Sequence, residues 1–321
     1  MTTLQLLSPG KLNLHLEVLQ RREDGFHDLE TLMTTVSIYD SIKFSHNTKK
    51  PFELNCRWAN GYVAEQAASI RNSGESGDLK DALGDLPSTE DNLIYRAADL
   101  LKQEALTTEL SAESSALIKQ NVRIDVVKRI PSGGGMGGAS SNAATTLVGL
   151  NRFWKLGWSQ DQLSSIAARL GSDVPFFIYG KTAVCRGRGE LVSPVHASRS
   201  THMVVVRPLQ SLSTPAVFGE LRVSDYERKS IKPILNCYKS GQLSALAKSL
   251  FNRLEQAAAN LCAWIEVLRN EFRALGCPGH QLTGSGSCYF GVCHNRLGAL
   301  QLYHRLRQRN LGFVYLCRSN I

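Results

Sequence analysis

Polar and apolar residues alternate strictly along Lys11-Leu12-Asn13-Leu14-His15-Leu16, the period of a half-buried strand. Leu12, Leu14 and Leu16 then share a buried face, and Lys11, Asn13 and His15 share the polar one. Asp24-Gly25 is a hairpin-turn signal, and the run from Leu29 to Tyr39 predicts the returning strand. From about residue 45 to 90 the periodicity weakens, broken by Asn60-Gly61, Ser73-Gly74 and Ser76-Gly77. This stretch reads as a long insertion, partly without fixed structure. Asp91 or Asn92 then opens a helix carrying Leu93, Ala97, Leu100 and Leu101, and a second polar stretch runs to about Gln120. Val122, Ile124 and Val126 alternate with Arg123 and Asp125, which predicts a strand. A glycine-rich loop follows, then an alanine-rich helix with Ala143, Leu147, Leu150 and Trp154 on one stripe. Ser159 and Gln162 form a capping box for a helix that buries Leu163, Ile166, Ala167 and Leu170, with Gly171 as its stop. Beyond it, short strands (Met203–Val206, Cys288–Val292, Phe313–Leu316) mix with amphipathic helices. No regular βαβ rhythm appears, so the class is α+β.

Composition sharpens the picture. The 321 residues are 43% hydrophobic and 20% charged, which suits a globular chain of two domains and excludes a disordered, collagenous or coiled-coil protein. No window approaches the roughly 18 consecutive apolar residues of a membrane span. Met1-Thr2-Thr3-Leu4-Gln5 has neither a charged nor an apolar leader region, so the expected address is the cytoplasm, with no membrane partner. The eight cysteines are scattered without a Cys-x-x-Cys pair, and the eight histidines show no ligand spacing. Buried reduced thiols and no metal site are the expectation. The net charge is +9, although residues 51–91 carry eight acids against three bases. The remaining surface is therefore more basic still and favours anionic partners. Without a dense Lys/Arg run interleaved with aromatics, a nucleic acid is not expected among them.

The strongest chemical signal is the segment Pro131-Ser132-Gly133-Gly134-Gly135-Met136-Gly137-Gly138-Ala139-Ser140-Ser141. Glycines let backbone approach a ligand closely, and the start of the following helix offers free N–H groups to an anion, with phosphate the natural occupant. It is not a Walker A loop, because no Lys-Ser/Thr follows the glycines. Gly133, Gly135 and Gly138 match the dinucleotide fingerprint, but the acid expected about 20 residues later at the end of a second strand is absent. Elsewhere, Asp173 stands between Gly171 and Pro175 in an apolar frame. A carboxylate there can take or orient a hydroxyl proton, or cap neighbouring N–H groups. Lys11 can stabilise a transferring anion, or be an ordinary solvated lysine.

The segment from Pro131 to Ala144 resembles the ATP-binding motif of the galactokinase, homoserine kinase, mevalonate kinase and phosphomevalonate kinase (GHMP) superfamily. Pro9-Gly10-Lys11-Leu12-Asn13-Leu14 is similar to its N-terminal motif, and Leu282-Thr283-Gly284-Ser285-Gly286-Ser287-Cys288 to its third motif. Asp24-Gly25-Phe26-His27, Glu90-Asp91-Asn92-Leu93-Ile94, Gly171-Ser172-Asp173-Val174-Pro175-Phe176-Phe177 and Thr214-Pro215-x-x-Phe218 resemble one branch, the kinases of 4-diphosphocytidyl-2-C-methyl-D-erythritol. The likeness spans about residues 8 to 290.

The resemblance implies a two-domain GHMP kinase. Residues 1–190 would be an ATP-binding, ribosomal-S5-domain-2-like N-terminal domain, and residues 191–321 a ferredoxin-like, substrate-binding C-terminal domain. It implies ATP with Mg²⁺, and phosphorylation of a small-molecule substrate by a monomer or weak homodimer. Lys11 and Asp173 would be catalytic, with Asn13 beside them on the reacting hydroxyl. Asn92 and Lys128 would join the loop from Pro131 to Ser141 around ATP. Phe26, His27, Thr214, Pro215 and Phe218 would hold the cytidine end, its base between Phe26 and Phe218 and its edge read by His27. Another kinase of the superfamily, or a nucleotide-binding protein without catalysis, are the alternatives.

Overall fold

The computed structural model describes residues 3–46, 48–65, 86, 90–196, 198–221 and 227–320. Its backbone is an antiparallel ribbon of two 19-residue strands, β1 (Thr3–Arg21) and β2 (His27–Ser45). The expected hairpin is there, but longer than its alternating core. Asp24 Oδ1 accepts from the Phe26 N–H at 3.1 Å, and Gly25 takes a φ of +83°, so the turn needs both residues.

The ribbon is long because each of its ends recruits different partners. Ser41 to Ser45 pair with β4 (Val122–Lys128), and Leu29 to Thr34 pair with β5 (Thr182–Gly187), which continues into β6 (Leu191–Pro194). On the outer side of β4 runs a parallel strand, β3 (Phe52–Trp58). Within the stretch read as an insertion at 45–90, residues 52–58 are therefore part of the sheet. Leu54 is buried, Asn55 and Arg57 are exposed, and Phe52 and Cys56 pack on the core. Residues 60–65 are helical, so Asn60-Gly61 does not mark a loop. The Ser-Gly pairs at 73–74 and 76–77 lie outside the described residues.

Five helices cover one face of this sheet: α1 (Leu93–Leu106), α2 (Ala112–Ile118), α3 (Gly138–Phe153), α4 (Gln160–Ala167) and α5 (Val174–Tyr179). The second polar stretch thus contains a helix, α2, capped by Ser111 and too short to show a period. Ala143, Leu147, Leu150 and Trp154 of the α3 region are all buried as expected. Both bonds of the Ser159–Gln162 capping box are present. Gly171 is not the stop of α4, which ends at Ala167 on its own backbone turn.

The second sheet, in the order β11 (Phe313–Arg318), β7 (His202–Arg207), β10 (Tyr289–Cys293), β9 (Gly279–Leu282), is antiparallel throughout. Around it lie α6 (Thr214–Gly219), α7 (Lys232–Ser240), α8 (Leu243–Lys248), α9 (Glu255–Leu261), α10 (Trp264–Ala274) and α11 (Arg296–Gln308). Leu12, Leu14 and Val36 of the ribbon share a core with Val205, Phe290 and Val292 of this sheet. The polar face of β1 is buried as well, with Lys11, Asn13 and His15 each under 5% exposed. It faces the junction between the halves of the molecule, not solvent. The eight cysteines are free thiols, five of them buried.

A third link crosses that junction. The two-residue strand β8 (Phe251–Asn252) pairs in parallel with His15 and Leu16 of β1. Beside it, Glu17 is 1% exposed and accepts from Arg253 Nε and Nη2, each at 2.7 Å, and from the Lys229 N–H at 2.7 Å. Burial by itself raises the Glu17 carboxyl, but the Arg253 fork, the Lys229 and Val18 N–H groups and the Arg253 charge outweigh it and hold it below its ordinary value. A carboxyl depressed on folding stabilises the fold above its unfolded value of 4.5, and that stability is lost as pH falls through the lower folded value. Glu17→Gln, which removes the counter-charge of a buried guanidinium, should cost about 3–5 kcal/mol at neutral pH. Urea melts of the variant and the wild type should converge on acidification. A pH-independent gap would show that packing, not charge, carries the effect.

Candidate active site

A cleft of about 1110 Å³ opens between the ribbon, the glycine loop and the second sheet. Its floor is the glycine loop. Gly135 has φ +75°, and a Cβ there would overlap the Thr283 carbonyl oxygen. Gly134 lies on the buried Cys288 sulfur, with the Cys288 N–H donating to the Gly134 carbonyl at 3.2 Å. The loop is therefore pressed onto the third glycine motif, and only bare backbone fits the gap. On its other side the Lys11 N–H donates to the Met136 carbonyl at 2.9 Å. Helix α3 starts at Gly138 with no side chain capping its first turn. Gly138, Ala139 and Ser140 line the cleft, so those N–H groups are available to an anion.

The root of the loop is held by groups the sequence did not single out. Asp40, fully buried, accepts from the Arg129 N–H at 2.6 Å and the Ile130 N–H at 2.9 Å. It also forms an ion pair with Lys128, whose Nζ donates to Asn142 Oδ1 at 2.6 Å. Lys128 is thus a buried, neutralised lysine at the edge of the cleft. Ser141 is fully buried and shares a hydrogen bond of 2.8 Å with Ser8, and it is not among the lining residues. Its hydroxyl fastens helix to ribbon. Asn92 caps α1, accepting from the Ile94 N–H at 3.0 Å, and it lines the cleft. A cap and a cleft-wall residue are here the same residue.

At the centre, Lys11 Nζ donates to Asn13 Oδ1 at 2.6 Å and lies 3.5 Å from Asp173 Oδ2. Asn13 is itself fixed, donating from Nδ2 to Thr31 Oγ1 at 2.9 Å and from its backbone to Thr283 Oγ1 at 3.1 Å. Asp173 occupies the N-cap position of α5, yet its side chain makes no capping bond and is 34% exposed. The carboxylate is directed at Lys11 and the cleft instead. Pro175 in the first turn presets that helix start. A buried ammonium beside a part-exposed carboxylate, next to a helix N-terminus, can position a hydroxyl, receive its proton and neutralise a moving anion.

The far end is aromatic. His27 and Phe218 stack with ring centroids 5.0 Å apart at 28°. Burial, with the Arg21 charge adding to it, holds the His27 imidazole below its ordinary value of 6.5. It is neutral at pH 7, with one ring nitrogen to donate and one to accept. Phe26 stands 51% exposed at the hairpin tip, with the Arg188 guanidinium 5.1 Å from its ring centre. Phe26 and Phe218 do not contact each other among the described residues. They line the same cleft but are not closed into a sandwich. Thr214 Oγ1 is 2.7 Å from Ser285 Oγ, tying α6 to the third motif, and Pro215 lies in the first turn of α6.

Comparison with known proteins agrees with these features. The GHMP kinases N terminal domain matches residues 92–181, and the GHMP kinases C terminal domain matches residues 234–311. The 4-diphosphocytidyl-2-C-methyl-D-erythritol kinase of Alkaliphilus metalliredigens is 32% identical over 307 residues, 95% of this chain and 93% of the relative. That of Brevibacillus brevis is 32% identical over 308 residues, 96% of this chain and 92% of the relative. The chain belongs to the 4-diphosphocytidyl-2-C-methyl-D-erythritol kinase family. A crystal structure of a family member, 29% identical, superposes with a TM-score of 0.76 and covers 99% of this chain and 100% of its own. The homoserine kinase of Cytophaga hutchinsonii, 14% identical, reaches 0.70 over 100% of this chain and 95% of its own, which shows the fold that the family shares with other GHMP kinases. Among the described residues no helix is long and apolar enough to cross a membrane.

Proposed function

We propose that this protein transfers the γ-phosphoryl group of ATP to the 2-hydroxyl of 4-diphosphocytidyl-2-C-methyl-D-erythritol, in the non-mevalonate isoprenoid pathway. The observation that carries this reading is the Lys11–Asn13–Asp173 cluster set between a glycine loop and an aromatic end in one cleft. ATP lies along the loop from Pro131 to Ser140, its phosphates toward the start of α3 and its base toward Asn92. The substrate enters from the aromatic end. Asp173 orients the 2-hydroxyl and receives its proton. The hydroxyl oxygen bonds to the γ-phosphorus as the bond to the β–γ bridging oxygen breaks and ADP leaves. Lys11 neutralises the equatorial oxygens of the phosphoryl group in flight, and Asn13 fixes the Lys11 ammonium. Lys128 acts on the loop from behind, through Asp40. Mg²⁺ fits this site chiefly through phosphate oxygens and water. The Asp173 carboxylate, unused by its own helix, and the Ser140 hydroxyl are the side chains at hand to support it, and the ion would offset charge on the transferring group.

We place the domain boundary near residue 190, with the ATP loop in the first half, residues of both halves around the substrate, and β8 crossing between them. We place the enzyme in the cytoplasm as a monomer or weak homodimer. The test of the activity is ADP release with the diphosphocytidyl substrate, measured against homoserine and mevalonate. Turnover restricted to either of the latter would overturn it.

Base recognition divides between two side chains. Base stacking on an aromatic ring is worth roughly 1–3 kcal/mol and does not distinguish cytosine from uracil. A neutral imidazole reads the base edge, and sites built on hydrogen bonds reject analogues that leave them unpaired. Phe218→Ala should therefore weaken the diphosphocytidyl and diphosphouridyl substrates alike, whereas His27→Ala should narrow the gap in kcat/KM between them. Equal use of both substrates by the wild type would remove the edge-reading role of His27.

A further inference from the structure

The substrate of this reading has an anionic middle, and the cleft has a cation to match it. Among the described residues, four cationic side chains line the cleft: Lys11, Arg21, Lys128 and Arg188. Lys11 is engaged with Asn13 and Asp173, and Lys128 with Asp40 and Asn142. Arg21 ends β1 beside His27. Neither the Arg21 nor the Arg188 side chain makes a hydrogen bond among the described residues, and Arg188 is set apart by the turn that holds it. Its nearest carboxylate among the described residues is Glu190, with Nε to Oε1 at 3.7 Å, too far for a hydrogen bond. It is thus ion-paired with Glu190 but makes no side-chain hydrogen bond among the described residues, which leaves its five N–H donors without an acceptor.

The position of Arg188 is built, not accidental. It sits in the tight turn between β5 and β6, between Gly187 at φ +67° and Gly189 at φ +122°, and the Gly189 N–H donates to the Arg186 carbonyl at 3.0 Å. A Cβ on Gly189 would lie 3.4 Å from the Ser172 carbonyl oxygen, so the turn packs against the residue next to Asp173. The guanidinium meanwhile lies over the Phe26 ring, 5.1 Å from its centre. The turn thus touches the residue before the reacting carboxylate with its backbone and the aromatic end with its side chain.

We propose that Arg188 binds the diphosphate that links cytidine to the methylerythritol in the substrate, and so sets specificity for a nucleoside diphosphate ester over a bare polyol. The inference rests on the proposed function. In it, a base at the aromatic end and a hydroxyl at Asp173 leave the connecting phosphates beside this guanidinium, whose fork suits two phosphate oxygens. From its place over Phe26, the guanidinium is within a side-chain rotation of phosphates in this position.

The test is calorimetric binding of cytidine and of cytidine diphosphate, with the nucleotide site filled by a non-hydrolysable ATP analogue. The wild type should prefer the diphosphate by about tenfold or more, the scale of a charge-assisted pair. Arg188→Ala should remove most of that preference and leave cytidine affinity unchanged, and Arg188→Lys should restore part of it. In turnover, Arg188→Ala should raise KM for the diphosphocytidyl substrate with KM for ATP unchanged. An unaltered preference in Arg188→Ala overturns the inference, as does equal loss of cytidine and cytidine diphosphate, which would mean that Arg188 only props Phe26. Failure of the kinase reading registers separately, as no ADP release by the wild type with the diphosphocytidyl substrate.

Discussion

Asp173→Asn should lower kcat by at least about 100-fold, the usual scale for a lost general base or orienting carboxylate. The change is nearly isosteric, and it spares the helix, because the Asp173 side chain caps nothing in α5. What it removes is the negative partner 3.5 Å from Lys11 Nζ and the acceptor for the hydroxyl proton. KM for ATP should move little, because among the described residues no hydrogen bond or ion pair joins the Asp173 carboxylate to the loop from Pro131 to Ser140. Lys11→Ala should lose a comparable factor through the phosphoryl group rather than the proton. The two variants differ in a second respect: Lys11 donates to Asn13 Oδ1, so its removal leaves that oxygen only the Thr283 hydroxyl, while Thr31 and Thr283 keep Asn13 in place. Steady-state kinetics with both substrates varied decides the matter, and near-normal turnover in either variant would remove its catalytic role.

The second large effect is expected at a residue with no side chain. Gly135→Ala should raise KM for ATP by about tenfold or more, since strain at a positive φ and a displaced backbone each cost on the order of 1–3 kcal/mol. The new methyl would run into the Thr283 carbonyl oxygen and lie 3.2 Å from the Gly286 backbone, so the loop would have to lift from the third motif. Gly157→Ala is the control. That residue has φ +71°, but a Cβ added to it would meet nothing within 4 Å, so it carries the strain without the collision. If the two variants lowered stability alike and left KM for ATP unchanged, the contact between loop and third motif would have no part in nucleotide binding.

Much of this is legible in the residues themselves. The alternation from Lys11 to Leu16 announces a strand, and the structure keeps Lys11 and Asn13 on one face. What the pattern conceals is that the polar face is also buried, because a strand between two layers and a strand at a surface can share a pattern. The strand Phe52–Trp58 does carry the strand signal, Phe52, Leu54, Cys56 and Trp58 alternating with Glu53, Asn55 and Arg57, but the polar, glycine-punctuated stretch behind it sets the reading of the whole segment. Only its neighbour β4 makes it a sheet edge. The Asp40–Lys128–Asn142–Ser8 network joins residues as much as 134 positions apart, and local patterns carry no such information. An aspartate in the apolar run Ser37-Ile38-Tyr39-Asp40 is its one sequence signal. Ser141 misleads for a related reason: a hydroxyl at a helix start suits a phosphate, but Ser8 lies opposite and takes it. Arg188 has a signal too, a basic residue flanked by two glycines.

The parallel pairing of β8 with β1 places a piece of the later chain on the edge of the earlier sheet. Asn252 there donates to the carbonyls of Leu282 and Gly284, and Arg253 grips Glu17. The two halves are stitched together beside the cleft, and a jaw-like opening would have to break these bonds. Admission of two bulky anions and release of the products then fall to the rim, where the hairpin tip at Phe26 and the turn at Arg188 can yield while the reacting groups stay at fixed separation. Accuracy of alignment is inherited from the fold, and traffic is left to a few side chains.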